Sequence, residues 1–341
     1  MLIIVYKKIK FYIRKANKKM KLGVLTNLFA GLSLDEALAK FEKLGIEAVE
    51  IGCGGYPGKA HCDPAVLLND DAALAAWQNT IKSHGMEVAA LSCHGNPVHP
   101  DKAIAKSFHD DFVNAVLLAE KIGVDTVVTF SGCPGGSKDD KTPNWATCAW
   151  PDDFLAVLDY QWNEVLIPYW KETAAFAKAH GVTKIAFEMH PGFCVYNPET
   201  LLKLRAAVGD TLGANFDPSH LIWQGIDPVA AIRELGPAIF HFHAKDTKID
   251  KYNTAKAGVL DTKHYSDEAH RSWIFRSVGY GNGLDYWRDM ISNLRLVGYD
   301  KVMSIEHEDS LMTPDEGLEH AVAFLKESII KNPKPTTIGW A

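Results

Sequence analysis

Short β-branched runs alternate with longer amphipathic ones along the chain. The strand-type runs are KLGVLTN (21–27), AVEIGCG (48–54), EVAALSCHG (87–95), TVVTFSG (126–132), KIAFEMH (184–190), LGANFDPSH (212–220), IFHFHAKD (239–246) and VMSIEHED (302–309). Helical spacing of apolar positions occupies the intervals, beginning at residues 33, 71, 103, 152, 197, 227, 284 and 313. The run from residue 152 extends to 181 and reads as one long helix. Ser, Asp, Asn or Thr at the helix starts and Gly at many ends are the expected caps. Strand then helix, eight times over, predicts an α/β fold of the (β/α)8 TIM-barrel type. A doubly wound sheet would carry a glycine-rich phosphate turn opening a helix. GCGGYPG (52–58) has the glycines without the helix and reads as a loop.

In such a barrel, functional groups gather where strands end. Six of the eight runs deliver them: Glu50; His94; Glu188 and His190; Asp217 and His220; His241 and His243; and Glu306, His307 and Glu308. A lone strand-end histidine is usually a hydrogen-bonded core residue, and EHED alone would read as a solvated turn. Four successive strands with such residues at equivalent depth are different, because their ends converge. Glu188, Asp217, His243 and Glu306 would surround a divalent cation, which lets a buried carboxylate such as Glu188 stay ionised. Three carboxylates and one imidazole make an oxygen-rich set that suits Mn²⁺ best, then Mg²⁺ or Co²⁺, and Zn²⁺ less well.

Charge divides the chain unevenly. Residues 1–20 hold seven Lys or Arg and no acid, so the rest carries 29 basic against 42 acidic residues. The expected organisation is a basic extension over 1–20, non-native or upstream-initiated, one barrel domain over 21–331, and a tail over 332–341. The apolar LIIVY precedes the charges and is too short for a signal peptide; adhesion to a surface or membrane is the alternative use of this segment. The acidic body argues against a nucleic-acid partner. No run is long and apolar enough to span a membrane. Six cysteines without a CxxC pair read as reduced thiols of a cytoplasmic enzyme.

FEMHPG, NFDPSH, HFHAKD and SIEHED occur with 29 residues from Glu188 to Asp217, 26 more to His243 and 63 more to Glu306. In this order they resemble the xylose isomerase-like barrel superfamily of sugar phosphate isomerases and epimerases, over residues 21 to about 331. The resemblance implies that His243, rather than His241, completes the metal set, that Glu188 and Glu306 double as acid and base, and that His220 contacts substrate. Two insertions depart from simple epimerases: 132–154, which brings Trp145 and Trp150, and 247–282. With LSCHGNPVHPD they resemble a subgroup acting on 3-oxo-glycosides, including C-glycoside deglycosidases.

The expected activity is metal-dependent sugar isomerisation or epimerisation by proton abstraction beside a carbonyl. The alternative is a lyase that cleaves 3-oxo-glycosides after the same enolate, and a remote one is an endonuclease-IV-like nuclease. His190, two residues after Glu188, is a rival base. His94, His220, Lys245 and Arg276 are candidate contacts to hydroxyl or carbonyl groups, and Trp145 and Trp150 candidate stacking surfaces. The expected partner is a small sugar or glycoside, with homo-oligomerisation or a small accessory subunit as further expectations.

Overall fold

A computed structural model describes residues 19–332. The expected basic extension and tail therefore lie outside the described residues, apart from Lys19, Met20 and Asn332. Eight parallel strands close a barrel: β1 (Lys21–Leu25), β2 (Ala48–Gly52), β3 (Glu87–Ser92), β4 (Thr126–Thr129), β5 (Lys184–Glu188), β6 (Leu212–Phe216), β7 (Ile239–Ala244) and β10 (Val302–Ile305). The ring closes where β1 pairs with β10, Lys21 opposite Val302. Between β7 and β10 the chain makes a separate antiparallel pair, β8 (Asp246–Ile249) and β9 (Trp273–Arg276).

Eight principal helices surround the barrel: α1 (Leu34–Lys43), α2 (Asp71–Ser83), α3 (Lys102–Ile122), α4 (Ile167–Ala179), α5 (Pro198–Val208), α6 (Pro228–Leu235), α7 (Leu284–Leu296) and α8 (Pro314–Ser328). Their starts follow the capping chemistry of the sequence. Ser33 and Glu36 form a capping box, Asn197 and Thr200 another, and the side chains of Asp70, Asp101, Asp227 and Thr313 accept first-turn N–H groups. The apolar faces pack on the outside of the strands in one large core that includes Phe41, Phe112, Trp170, Phe187, Phe216, Phe242 and Trp287.

The interval expected as one helix over 152–181 is broken. A helix over Asp153–Asp159 runs into a π-helical stretch, Tyr160–Leu166, before α4. Pro168 is the physical reason, since it supplies no N–H and its ring crowds the carbonyl four residues earlier. The widened turn buries Gln161, whose Nε2 donates to the carbonyls of Pro134, Gly135 and Asn144 and so anchors the 132–154 insertion.

The barrel interior is layered. Ala90, Val128, Ala186 and Phe240 form a small apolar cluster of their own, and Gly213 makes room for the Phe240 ring, from which an added Cβ would lie only 2.4 Å. Two residues further along β3 and β5, on the same faces, stand Ser92 and Glu188. The interior thus turns from apolar to polar towards the carboxyl ends of the strands. Among the described residues no helix is long and apolar enough to cross a membrane.

Candidate active site at the barrel mouth

Strand register brings the polar residues together. Glu188 ends β5 opposite Asn215 of β6, and His243 of β7 faces Ser304 of β10. Asp217 directly follows β6 and caps the short helix Pro218–Trp223; its Oδ1 accepts from Ser219 N at 2.8 Å, leaving Oδ2 turned to the centre. Glu306 follows β10 by one residue. One donor atom from each of Glu188, Asp217, His243 and Glu306 lies within 4.8 Å of all the others.

Three of these atoms, Asp217 Oδ2, His243 Nδ1 and Glu306 Oε2, are buried and make no hydrogen bond. Their near neighbours are charged instead. Lys245 Nζ lies 3.1 Å from Asp217 Oδ2, 2.8 Å from Glu306 Oε2 and 2.9 Å from Glu308 Oε2. His243 Nδ1 lies 3.1 Å from Glu188 Oε2 and 3.0 Å from Glu306 Oε2. Buried polar atoms that converge without hydrogen bonding, in a set rich in carboxylate oxygen, fit a divalent cation.

Glu188 is the most firmly held carboxylate. Its Oε2 accepts from His94 Nε2 at 3.1 Å and Asn215 Nδ2 at 3.2 Å, and its Oε1 from His220 Nε2 at 3.0 Å. Burial pushes its pKa up, but the imidazoles of His220, His243 and His94 outweigh that and hold it well below the usual range. For Glu306, Lys245 and His243 overcome burial and bring the value to about 2. Asp217 goes the other way, because burial outweighs Lys245 and His220. His243 is held well above the ordinary imidazole value, Glu50 and Glu306 overcoming its burial. Lys245 is likewise raised by Asp217, Glu306 and Glu308.

The cleft above this floor is lined by Leu25, Asn27, Tyr56, Phe130, His94 and His190, together with Lys245 and the glutamates. The GCGGYPG loop carries Tyr56, and Gly55 there has φ +62° with its absent Cβ directed at the His94 carbonyl, 1.9 Å away. Only glycine permits that approach. His190 donates from Nδ1 to the Pro191 carbonyl at 2.5 Å, which leaves Nε2 as the acceptor nitrogen, and burial lowers its pKa. Its ring packs 4.1 Å from that of His220 and 5.1 Å from that of Phe130.

The cleft gathers Glu188, Glu306, His190, His94 and Lys245, and Asp217, His243 and His220 stand buried against them. Three residues singled out for substrate contact lie elsewhere. Trp145 donates from Nε1 to the Phe193 carbonyl at 3.0 Å and lines a separate cavity with Trp162 and Tyr196. Trp150, 79% exposed, also lies off the cleft wall. Arg276 is committed to Asp309, Nε to Oδ2 at 2.9 Å.

Five residues take part here without a specific part having been expected of them from the sequence: Glu50, Ser92, Ser304, Tyr56 and Phe130. Glu50 is fully buried and accepts from His241, His243, Ser304 and Ser92. The signal for it was present: two histidines spaced i, i+2 on one buried strand face need an acid, and AVEIG supplies one on a strand that faces them across the barrel interior.

A family model described as a xylose isomerase-like TIM barrel matches residues 38–328. The "uncharacterized protein YfiH" of Bacillus subtilis is 41% identical over 312 residues, 91% of this chain and 99% of its own length. A solved structure of L-ribulose 3-epimerase superposes with a TM-score of 0.61 at 18% identity, covering 91% of this chain and 94% of that one. The IolI protein with a bound zinc atom gives a TM-score of 0.62 at 20% identity, over 91% of this chain and 98% of that one. The two solved structures share the fold, and the match of the family model over most of the barrel carries the assignment: the chain belongs to the xylose isomerase-like TIM-barrel family.

Proposed function

We propose that the protein is a divalent-metal-dependent sugar isomerase or epimerase that removes a proton beside a carbonyl. The observation that carries this reading is the convergence of Glu188, Asp217, His243 and Glu306 on one point, with three of their donor atoms buried and without hydrogen bonds. A divalent cation held there supplies Lewis acidity to a bound carbonyl and its neighbouring hydroxyl, and the oxygen-rich donors favour Mn²⁺, Mg²⁺ or Co²⁺ over Zn²⁺.

The two glutamates are unequal. Both oxygens of Glu188 are engaged by imidazole or amide donors, so it is held in place. Glu306 is more open, with 15% of its side chain exposed, and rests against Lys245. We assign the moving proton to the Glu306 carboxylate, with Lys245 stabilising its anion and the negative oxygen that develops on the substrate. The neutral His190, with Nε2 as acceptor, is a second base in the cleft wall and suits transfer on another face of the sugar. Phe130 and Tyr56 exclude water and offer ring faces to a sugar. A 3-oxo-glycoside lyase would call for a leaving-group subsite at the mouth beyond the ring faces that Tyr56 and Phe130 offer the sugar. Trp145 and Trp150 line no part of the cleft, so isomerisation is preferred.

The test is proton NMR in D₂O with Mn²⁺-loaded protein, a panel of ketoses, inososes and 3-oxo-glycosides, and Glu306→Gln as control. Deuterium entering beside the carbonyl with a new sugar isomer supports the proposal. Loss of an aglycone would replace it with the lyase, and no exchange with any compound would end the enolate reading.

A further inference from the structure

Beneath the four converging residues lies a second cluster, Glu50, His241 and His243, whose donor atoms also fall within 4.8 Å of one another. It could be read as another cation site, but its hydrogen bonds decide otherwise. The Glu50 carboxylate, fully buried, accepts from His241 Nε2 at 2.7 Å, His243 Nε2 at 2.9 and 3.0 Å, Ser304 Oγ at 2.8 Å, and Ser92 Oγ. Four donors saturate a carboxylate's lone pairs, and both imidazoles spend their Nε2–H groups on it. The Glu50 oxygens and the two Nε2 atoms that face one another are thus spent on each other, with none left for an ion between them.

His243 is thus shared between two layers, with Nε2 turned down to Glu50 and Nδ1 up towards Glu188 and Glu306. We infer that Glu50 is a positioning residue for the proposed cation site: it fixes Nε2 of His243 as the N–H nitrogen and the ring in its orientation, so that Nδ1 presents its lone pair to the point where Glu188, Asp217 and Glu306 converge. The inference rests on the metal reading above. A carboxylate behind a ligating imidazole both selects the tautomer and raises the basicity of the coordinating nitrogen. Ser92 and Ser304 hold the carboxylate from both sides, because β2 pairs with β3 and β10 stands between β1 and β7.

Two measurements test this, neither of them turnover. Calorimetric titration of metal-stripped protein with Mn²⁺ should show Glu50→Gln binding roughly 10- to 100-fold more weakly than wild type, since an amide cannot accept from all four donors. Val128→Ala, in the neighbouring apolar cluster, should lower the unfolding temperature while leaving affinity unchanged. Should Glu50→Gln fail to fold, the wild type alone decides, through ¹⁵N-histidine NMR of the Zn²⁺-loaded form. Coordination of His243 through Nδ1, with a slowly exchanging Nε2–H, supports the inference, and coordination through Nε2 overturns it. Equal Mn²⁺ affinity in wild type and Glu50→Gln overturns it while leaving the metal site standing. A wild type that binds neither Mn²⁺ nor Zn²⁺ overturns both.

Discussion

Lys245 is the residue on which the charge balance of the site turns. Its ammonium is buried against Asp217, Glu306 and Glu308 and lies 4.7 Å from the centre of the Phe275 ring. Replacing it with methionine keeps the volume and removes the cation, leaving buried carboxylates uncompensated. Lys245→Met should cost roughly 3–5 kcal/mol of stability in metal-free protein. Added Mn²⁺ should recover a large part of that, as chemical denaturation with and without the metal will show. His243 makes a prediction of opposite charge logic. Its folded pKa is held well above the ordinary value, Glu50 and Glu306 outweighing its burial, so the metal-free site favours the protonated ring. A cation at Nδ1 must displace that proton. Mn²⁺ affinity should therefore fall as pH falls, by about tenfold per unit while this is the group exchanging its proton, with the proton release visible as a buffer-dependent heat. Much of this site was legible from spacing alone, because strand ends of a closed barrel must converge. The placing of Trp145 and Arg276 was not, because it depends on Phe193 and Asp309, partners that only the folded loops bring near.

The strand and helix pattern could be read from period and caps, since each depends on residues within a few positions. The β8–β9 pair could not. Its organiser is Asp246, whose carboxylate accepts from the backbone N–H groups of Gly279, Gly281 and Asn282, from Asn282 Nδ2 and from Trp287 Nε1. All of these donors lie more than thirty residues away in sequence. This one side chain ties the 277–282 loop and α7 to the end of β7. Asp246→Ala should strand several buried donors and cost about 3–5 kcal/mol, measured by urea denaturation. Limited proteolysis should then cut first within 277–282. The π-helical stretch before α4 was similarly hidden, since Pro168 forbids a regular helix without saying which irregular one replaces it.

At the scale of the molecule, a cation that binds the folded barrel and not the unfolded chain must raise stability. Mn²⁺ at a hundred times its dissociation constant should add about 2.7 kcal/mol, so the melting temperature should rise with the metal and fall back on chelation. The Glu50 cluster has another consequence, one of timing. Its hydrogen bonds reach from β2 to residues 191 and 193 positions later, and to Ser304, 254 positions later. A chain still emerging from the ribosome has made Glu50 long before the strands that neutralise it exist. The interior of a half-built barrel would hold an anion with no counter-charge, so the first strands gain little by closing early. Closure around Glu50 is therefore expected to wait for β7, which brings His241 and His243, and for β10, which brings Ser304 and meets β1. The same buried acid that orders the finished site would weigh against closing an unfinished one.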